Sequence, residues 1–505
     1  MTYSLLHHLL TEQPHACHAA VALHHQNSVI TYGELIAEVN RVAAGLQALI
    51  TAGDRVALYL PKSFETVIAS FAVSAAGGVL VPINPVLKPA QVQHIVEDSG
   101  SAVLISQQAR LNNIGDSSSL KHRIAIDDET AEISWKTLGQ NVERSEVLQS
   151  ENDLAALLYT SGSTGMPKGV MLSHKNLLLG AKSVAEYLNI QTDDRILAVL
   201  PFSFDYGFNQ LLSAFHQGAQ CVLLDYLFPK DIVNACERYQ ITALAGVPPL
   251  WAQLAKLNWP KAATASLRLF TNSGGHLSHE LLQQLQNQFV NAEAYLMYGL
   301  TEAFRSSYLP PAQLADKPES MGIAIPGAAL YVLREDGTEC DANEKGELVH
   351  AGDLVAQGYW QQPEKTAARF KPLPKALDSD QTPAVWSGDT VYRDEDGFLF
   401  FCGRNDNQIK VSGYRISPEE IEACLLHHEL IEQAAVFGVP DEQNGQAITA
   451  VIQADSDALA INDCIRYCRI NLAAYMLPSR YVIESCLPTN ANGKLDRSLI
   501  AEQYL

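Results

Sequence analysis

The residues most able to do chemistry begin at Tyr159-Thr-Ser-Gly-Ser-Thr-Gly-Met-Pro-Lys-Gly-Val170, directly after the apolar run LAALL (154–158). A loop this rich in Gly, Ser and Thr can wrap backbone N–H groups and hydroxyls around phosphate oxygens, with Lys168 supplying a cation at its far end. It lacks the G-x-x-x-x-G-K-[ST] spacing of a Walker loop. Three further charged residues stand in short polar motifs. They are Glu302 in Met297-Tyr-Gly-Leu-Thr-Glu302, Asp389 in Ser387-Gly-Asp-Thr390, and Lys494 in Asn492-Gly-Lys-Leu-Asp496. Each has a plain structural reading: a cap or ion pair for Glu302, a turn for Asp389, a solvated tail for Lys494.

Positioning such groups requires a scaffold, and the pattern supplies one. Short β-rich runs such as RVALYL (55–60), AVLIS (102–106), RILAVL (195–200) and QCVLLD (220–225) alternate with helical stretches such as FETVIASFAVSAAG (64–77) and PKDIVNACERYQ (229–240). That alternation predicts parallel sheets covered by helices. After about Leu309, runs such as GELVHAG (346–352) and GFLFFCGR (397–404) are separated by turn signals, as in smaller antiparallel units. Ser417-Pro-Glu-Glu420 opens a helix, and strands and a second helix follow, enough for a small α+β domain. The expected layout is α/β. A large N-terminal domain (1–402) holds two parallel α/β sheet subdomains and a small β-barrel-like subdomain at about 310–402. A hinge (403–407) and a small mobile α+β C-terminal lid (408–505) follow.

Composition excludes several classes of function. Thirty-five Lys plus Arg against 56 Asp plus Glu leave a net charge of −21, the opposite of a nucleic-acid or anionic-membrane footprint. With 47% hydrophobic and 18% charged residues, the 505-residue chain is globular and long enough for several cores. The run Val67 to Ile83 is too short and glycine-broken for a membrane span. Nine scattered cysteines without a C-x-x-C predict reduced thiols, and Cys402 reads as packing on an apolar strand. No basic leader is seen, so the expected location is cytoplasmic. The histidines at 7, 8, 15, 18, 24 and 25 read as helix-surface and loop residues without metal-site spacing.

The motifs gain meaning as an ordered set. Thr31-Tyr-Gly-Glu-Leu35, the Ser/Thr/Gly loop and the Glu302 and Asp389 motifs are followed by Gly403-Arg-Asn-Asp406, Lys410-Val-Ser-Gly-Tyr-Arg415 and the Lys494 motif. Together they resemble the adenylate-forming superfamily of acyl-CoA synthetases, adenylation domains and firefly-type luciferases. SFDYGFNQLL (203–212), GVPPLW (246–251), TNSGG (271–275) and YGLTEAFRSSYLPP (298–311) look most similar to exosortase-associated AMP-forming acyl-CoA ligases.

The resemblance implies ATP and Mg²⁺ as cofactors. Thr160, Ser161, Gly162, Ser163, Thr164, Gly165 and Lys168 would hold the β- and γ-phosphates. Gly274, Gly275, Tyr298 and Gly299 would frame the adenine, Thr301 would touch the α-phosphate, and Glu302 would hold Mg²⁺. Asp389 and Arg404 would grip the ribose, and Lys494 would bridge the substrate carboxylate and the α-phosphate. Rotation about Asp406 would then withdraw Lys494 and bring Gly413 to line a tunnel for the pantetheine thiol of coenzyme A or of a separate acyl or peptidyl carrier protein. An oxygenase using the same adenylate is the rival enzyme, and a pseudo-ligase that only binds adenylates is the non-enzyme rival. Intact Lys168, Glu302 and Lys494 argue against the latter.

The same mapping puts Phe204, Asp205, Asn209, Leu250, Ser273, Met297 and Arg305 around the acid. A buried Asp205 needs a cationic partner. Either Arg305 is that partner, leaving a neutral pocket for a fatty or short-chain acid, or both bind opposite ends of a polar or zwitterionic acid. The reading leans to an amine-bearing substrate.

Overall fold

The computed structural model describes residues 3–13, 17–160, 167–379, 382–404, 408–441, 443–454, 459–488 and 497–504. Two sheets dominate the N-terminal part. The first has seven strands, in the order Ile133–Ser134, His122–Ala125, Val103–Ser106, Arg55–Tyr59, Val79–Pro82, Leu154–Thr160 and Lys168–Ser173. All its pairs are parallel except the last. Strand Val103–Ser106 is buried along its whole length, as expected where helices cover both faces.

The antiparallel last pair matters for the site. Its register sets Thr160 opposite Lys168, so the residues flanking the Ser/Thr/Gly stretch lie on two paired antiparallel strands. The residues of that loop expected at the phosphates, Ser161, Gly162, Ser163, Thr164 and Gly165, lie outside the described residues, as do Asp406 and Lys494.

The second sheet carries parallel strands Arg195–Ala198, Gln220–Leu223, Ala243–Gly246, Leu269–Asn272 and Glu293–Tyr298, with Val21–His25 beside Gln220–Leu223. Beyond Glu293–Tyr298 it continues antiparallel through Ser307–Leu309 and Ser320–Ala324 into the β-rich region, which includes Lys345–Ala351 and Pro383–Arg393. The β-rich region is thus hydrogen-bonded onto the second sheet.

One apolar cluster joins the two sheets, drawing on Leu58 and Leu80 from the first and Ile196 and Leu223 from the second. Helices Phe64–Ala75 and Asp205–Gln217 meet inside it at Phe71 and Phe215, ring centroids 5.4 Å apart. Helix Phe64–Ala75 is capped by Ser63, whose side chain accepts from the Thr66 N–H, and it is buried at almost every position. Helix Tyr32–Gln47 starts on a capping box formed by Thr31 and Glu34. No helix among the described residues is long and apolar enough to cross a membrane.

The C-terminal part is a separate α+β unit with its own core. Strands Tyr414–Ile416, Ile409–Val411, Gly445–Gln453, Gln433–Asp441 and Arg480–Glu484 form its sheet, covered by helices Pro418–Leu426 and Ile461–Asn471. All nine cysteines are free thiols. Two expectations need correction. Cys402 is exposed, as is its neighbour Phe401 on the opposite face, so this end of the strand is left uncovered on both sides. His7 is buried, because both its backbone N–H and its Nδ1, at 3.0 Å, engage the Ser74 hydroxyl on helix Phe64–Ala75.

Candidate active site

A cavity of about 1090 Å³ opens where the strands of the two sheets end and the C-terminal unit closes over them. Ligands of open α/β sheets bind in this position, because loops leaving the carboxyl ends of strands converge there. Asn272, Tyr298 and Val199 all stand at or just past such ends.

At one end, behind the cavity-lining Thr301, sits Glu302, on a single 3₁₀ turn (Thr301–Ala303) after strand Glu293–Tyr298. It is 3% exposed. Its Oε1 accepts a 2.8 Å hydrogen bond from the Tyr359 hydroxyl and lies 3.7 Å from the Lys168 ammonium. That ammonium also lies 3.7 Å from the centre of the Tyr359 ring. Burial alone would raise the Glu302 pKa, but Lys168, Arg369 and Arg415 outweigh it and hold the carboxyl at about 2. Lys168 is pushed down to about 8, first by burial, with Arg369, Lys365 and Arg415 adding to it and Glu302 opposing. The two partners therefore do not shift as an isolated pair would, which should raise the Lys168 pKa. The difference lies first in burial and then in the surplus of cations around one carboxylate, a field that favours a polyanion. Thr160 Oγ1, at the end of its strand, is buried without a hydrogen-bond partner among the described residues.

Glu302 also passes a test for a divalent cation. Its Oε2 is buried and has no hydrogen-bond partner among the described residues, so an anionic oxygen is left for a hard cation. No group of three or more metal-ligating side chains occurs among the described residues. One carboxylate plus phosphate oxygens and water is a usual set for Mg²⁺.

Beside this end, the Tyr298 hydroxyl donates to the Asp389 carboxylate, and the Asp389 N–H donates to Ser387 Oγ at 3.1 Å. Asp389 faces Arg404 across an antiparallel pair, which brings the two residues expected at the ribose together in register. Asn272 Nδ2 donates to the Gly275 carbonyl at 3.0 Å and so pins the turn through Ser273 and Gly274. Gly299, Ser273 and Met297 line the same cavity.

The other end is defined by Asp205, the first residue of helix Asp205–Gln217, after Phe204 at the cap. Arg305 Nη1 lies 3.2 Å from Asp205 Oδ2, and the two side chains are only 3% and 15% exposed. Thr301 Oγ1 donates to Asp205 Oδ1 at 3.4 Å. The Arg305 guanidinium sits 4.7 Å from the centre of the Tyr206 ring. Arg305 is aimed by its neighbour Phe304, which is fully buried with φ 55°. Its ring fills a notch where a Cβ on Gly180 would fall 2.1 Å away, so glycine is required there. Asn209 lines a satellite void of about 30 Å³ that shares Tyr206, Met297 and Arg305 with the main cavity. Leu250 departs from its expected place in the pocket lining. It packs in the neighbouring apolar cluster with Trp251, because helix Pro248–Ala255 turns that face inward.

The C-terminal unit reaches the cavity through Gly413, with φ +84°. A Cβ there would fall 2.8 Å from Val247 Cγ1, which only glycine avoids. Tyr414 stacks on Tyr475 with centroids 3.8 Å apart and meets the Phe204 ring edge-on at 5.1 Å. Gln91 Nε2 donates to Glu420 across the interface at 3.2 Å. Tyr359, Arg369 and Arg415 join the site without having been expected there. Arg415 stands inside a recognised motif, but Tyr359 and Arg369 sit in stretches without a local pattern and are recruited only by proximity.

A cation-rich end joined to a partly apolar end beneath a small C-terminal unit is an arrangement suited to a two-domain enzyme that takes an anionic ligand. Residues 10–360 match the family described as AMP-binding enzyme, and residues 420–494 match its C-terminal domain. The chain belongs to the AMP-binding enzyme family. It is 31% identical over 507 residues to tyrocidine synthase 3 of Brevibacillus parabrevis, covering 98% of this chain but 8% of that protein. It is 28% identical to the long-chain-fatty-acid–CoA ligase of Bacillus subtilis (strain 168), covering 94% and 90% of the two chains. Its structure resembles a double mutant of o-succinylbenzoate CoA synthetase from Bacillus subtilis bound with a product analogue, with TM-score 0.83, 26% identity and 95% of each chain covered.

Proposed function

We propose that this protein is an ATP-dependent, AMP-forming acid–thiol ligase acting on an acid without an α-ammonium. A carboxylate oxygen of the acid attacks the α-phosphorus of ATP. The bond to the bridging oxygen breaks, and pyrophosphate leaves with its electron pair. The sulfur of a pantetheine thiol, on coenzyme A or on a carrier protein, then attacks the acyl carbon, and AMP departs with the electrons of the broken C–O bond. Such chemistry rests on placement and charge neutralisation.

In this proposal Lys168 and the Ser/Thr/Gly loop hold the phosphates, and Asp389 with Arg404 holds the ribose. Tyr298 stacks on adenine, and Lys494 meets the charge that builds at the α-phosphate. Mg²⁺ on Glu302 would neutralise phosphate charge when bound. The 403–407 segment, with Asp406, is assigned as the hinge between a 1–402 domain and a 408–505 lid. Contact of Gly413 with Val247 supports a lid position suited to the thiol step. A cytoplasmic location belongs to the same proposal, supported by the nine free thiols.

The observation that carries the choice of acid is the Arg305–Asp205 pair at 3.2 Å. An Asp205 already neutralised by a buried guanidinium offers little to a substrate ammonium, and an added cation would meet Arg305. The leaning to an amine-bearing acid therefore gives way to the acyl alternative. Acid-dependent ATP–pyrophosphate exchange across amino acids, short and long fatty acids and aryl acids tests this. Exchange with acids lacking an amine is expected. Exchange with amino acids alone would overturn the choice.

A further inference from the structure

The acyl end of the cavity holds more hydrogen-bonding capacity than a plain hydrocarbon chain would use. Arg305 spends Nη1 on Asp205, yet its Nη2 is buried with no partner among the described residues. Asn209 is 2% exposed, and both its Oδ1 and its Nδ2 lack partners among the described residues. Neither orientation of the amide would therefore satisfy it. Buried polar atoms are seldom left unpaired, so a set of them around one cavity asks for an absent partner.

The void of about 30 Å³ beside Arg305 and Asn209 is large enough for one small polar group. Charge narrows the choice further. Asp205 already cancels Arg305, so a second carboxylate would leave net negative charge buried, and an ammonium would face a guanidinium. A hydroxyl fits both requirements, since it accepts from Arg305 Nη2 and Asn209 Nδ2 while donating to Asn209 Oδ1. Chain length follows from Thr301, which touches Asp205 at 3.4 Å. Only that carboxylate stands between Thr301, assigned to the α-phosphate, and Arg305, so the polar group lies a few carbons from the activated carboxyl.

We propose that the substrate is a short-chain hydroxy acid whose hydroxyl is read by Arg305 and Asn209. This rests on the acyl-activating reading above. Arg305 and Asn209 would then be specificity-determining residues that reject the plain acid by leaving their own groups unpaired.

The test uses the full chain and non-hydrolysable acyl-sulfamoyl adenosines, measured by calorimetry. Butanoyl is compared with its 2-, 3- and 4-hydroxy forms and with a 2-amino form. One hydroxy analogue should bind about 30-fold tighter than butanoyl. Asn209→Leu should reduce that ratio to within about threefold. Equal affinity of butanoyl and all three hydroxy forms in the wild type overturns the inference, and a water then occupies the void. That comparison needs no variant to fold. Tightest binding by the 2-amino form would instead overturn the acyl reading itself, so the two failures are distinct.

Discussion

Lys168 provides a direct measure of the phosphate end. In the free site its pKa lies at about 8, against an ordinary 10.5, which corresponds to about 3 kcal/mol of disfavoured positive charge. The cause is burial with Arg369, Lys365 and Arg415 nearby, only partly offset by Glu302. A bound triphosphate reverses that balance by placing several negative charges among these cations, so Lys168 regains its proton. At pH 8 about half the Lys168 population is neutral before binding, and at pH 9 about nine-tenths. ATP binding should therefore take up about 0.5 proton per site at pH 8 and about 0.9 at pH 9, falling to about 0.1 at pH 7. Calorimetry with MgATP in buffers of different ionisation enthalpy reads this directly. Lys168→Met should remove the rise with pH. The reasoning fails if the wild type shows no uptake at pH 9, or if the variant shows the same uptake.

Two further predictions concern the C-terminal unit. Glu420 is buried at the interface, and desolvation raises its pKa to about 7, with the Gln91 hydrogen bond opposing. A raised carboxyl binds its proton more tightly when folded. Its penalty is therefore absent below about pH 4.5, grows as pH rises, and saturates near pH 7 at about 3 kcal/mol. Glu420→Gln should flatten the pH dependence of denaturant stability between pH 5 and 7, and an unchanged slope would refute this assignment. Gly413→Ala forces a Cβ to within 2.8 Å of Val247 Cγ1 at a φ of +84°, strain of about 1–3 kcal/mol. Thioester formation should fall by about 10- to 100-fold while pyrophosphate exchange persists. Equal loss in both half-reactions would show that Gly413 does not act at the thiol step.

The architecture is readable where local pattern and tertiary need agree. The alternation of apolar strands with helices points to the covered parallel sheets, and Ser417-Pro-Glu-Glu420 marks the start of helix Pro418–Leu426. Among the motif residues, Lys168 pairs with Glu302 and Tyr298 reaches Asp389, with Tyr298 itself on the cavity lining. Tyr359 and Arg369 escape detection, since neither carries a spacing signal. Leu250 is misplaced for a related reason: a helix has an inner and an outer face, and only packing decides which residue turns where.

Residue order alone determined that this chain builds an α/β scaffold and carries the ordered motifs of its family, because periodicity and motif spacing are properties of short segments. It also posed the question of Asp205 and Arg305, a hundred residues apart. Only the tertiary structure decided it. A buried carboxylate takes the nearest cation, and that distance is set by how helix Asp205–Gln217 packs against the turn through Phe304, a relation that no local stretch of sequence contains.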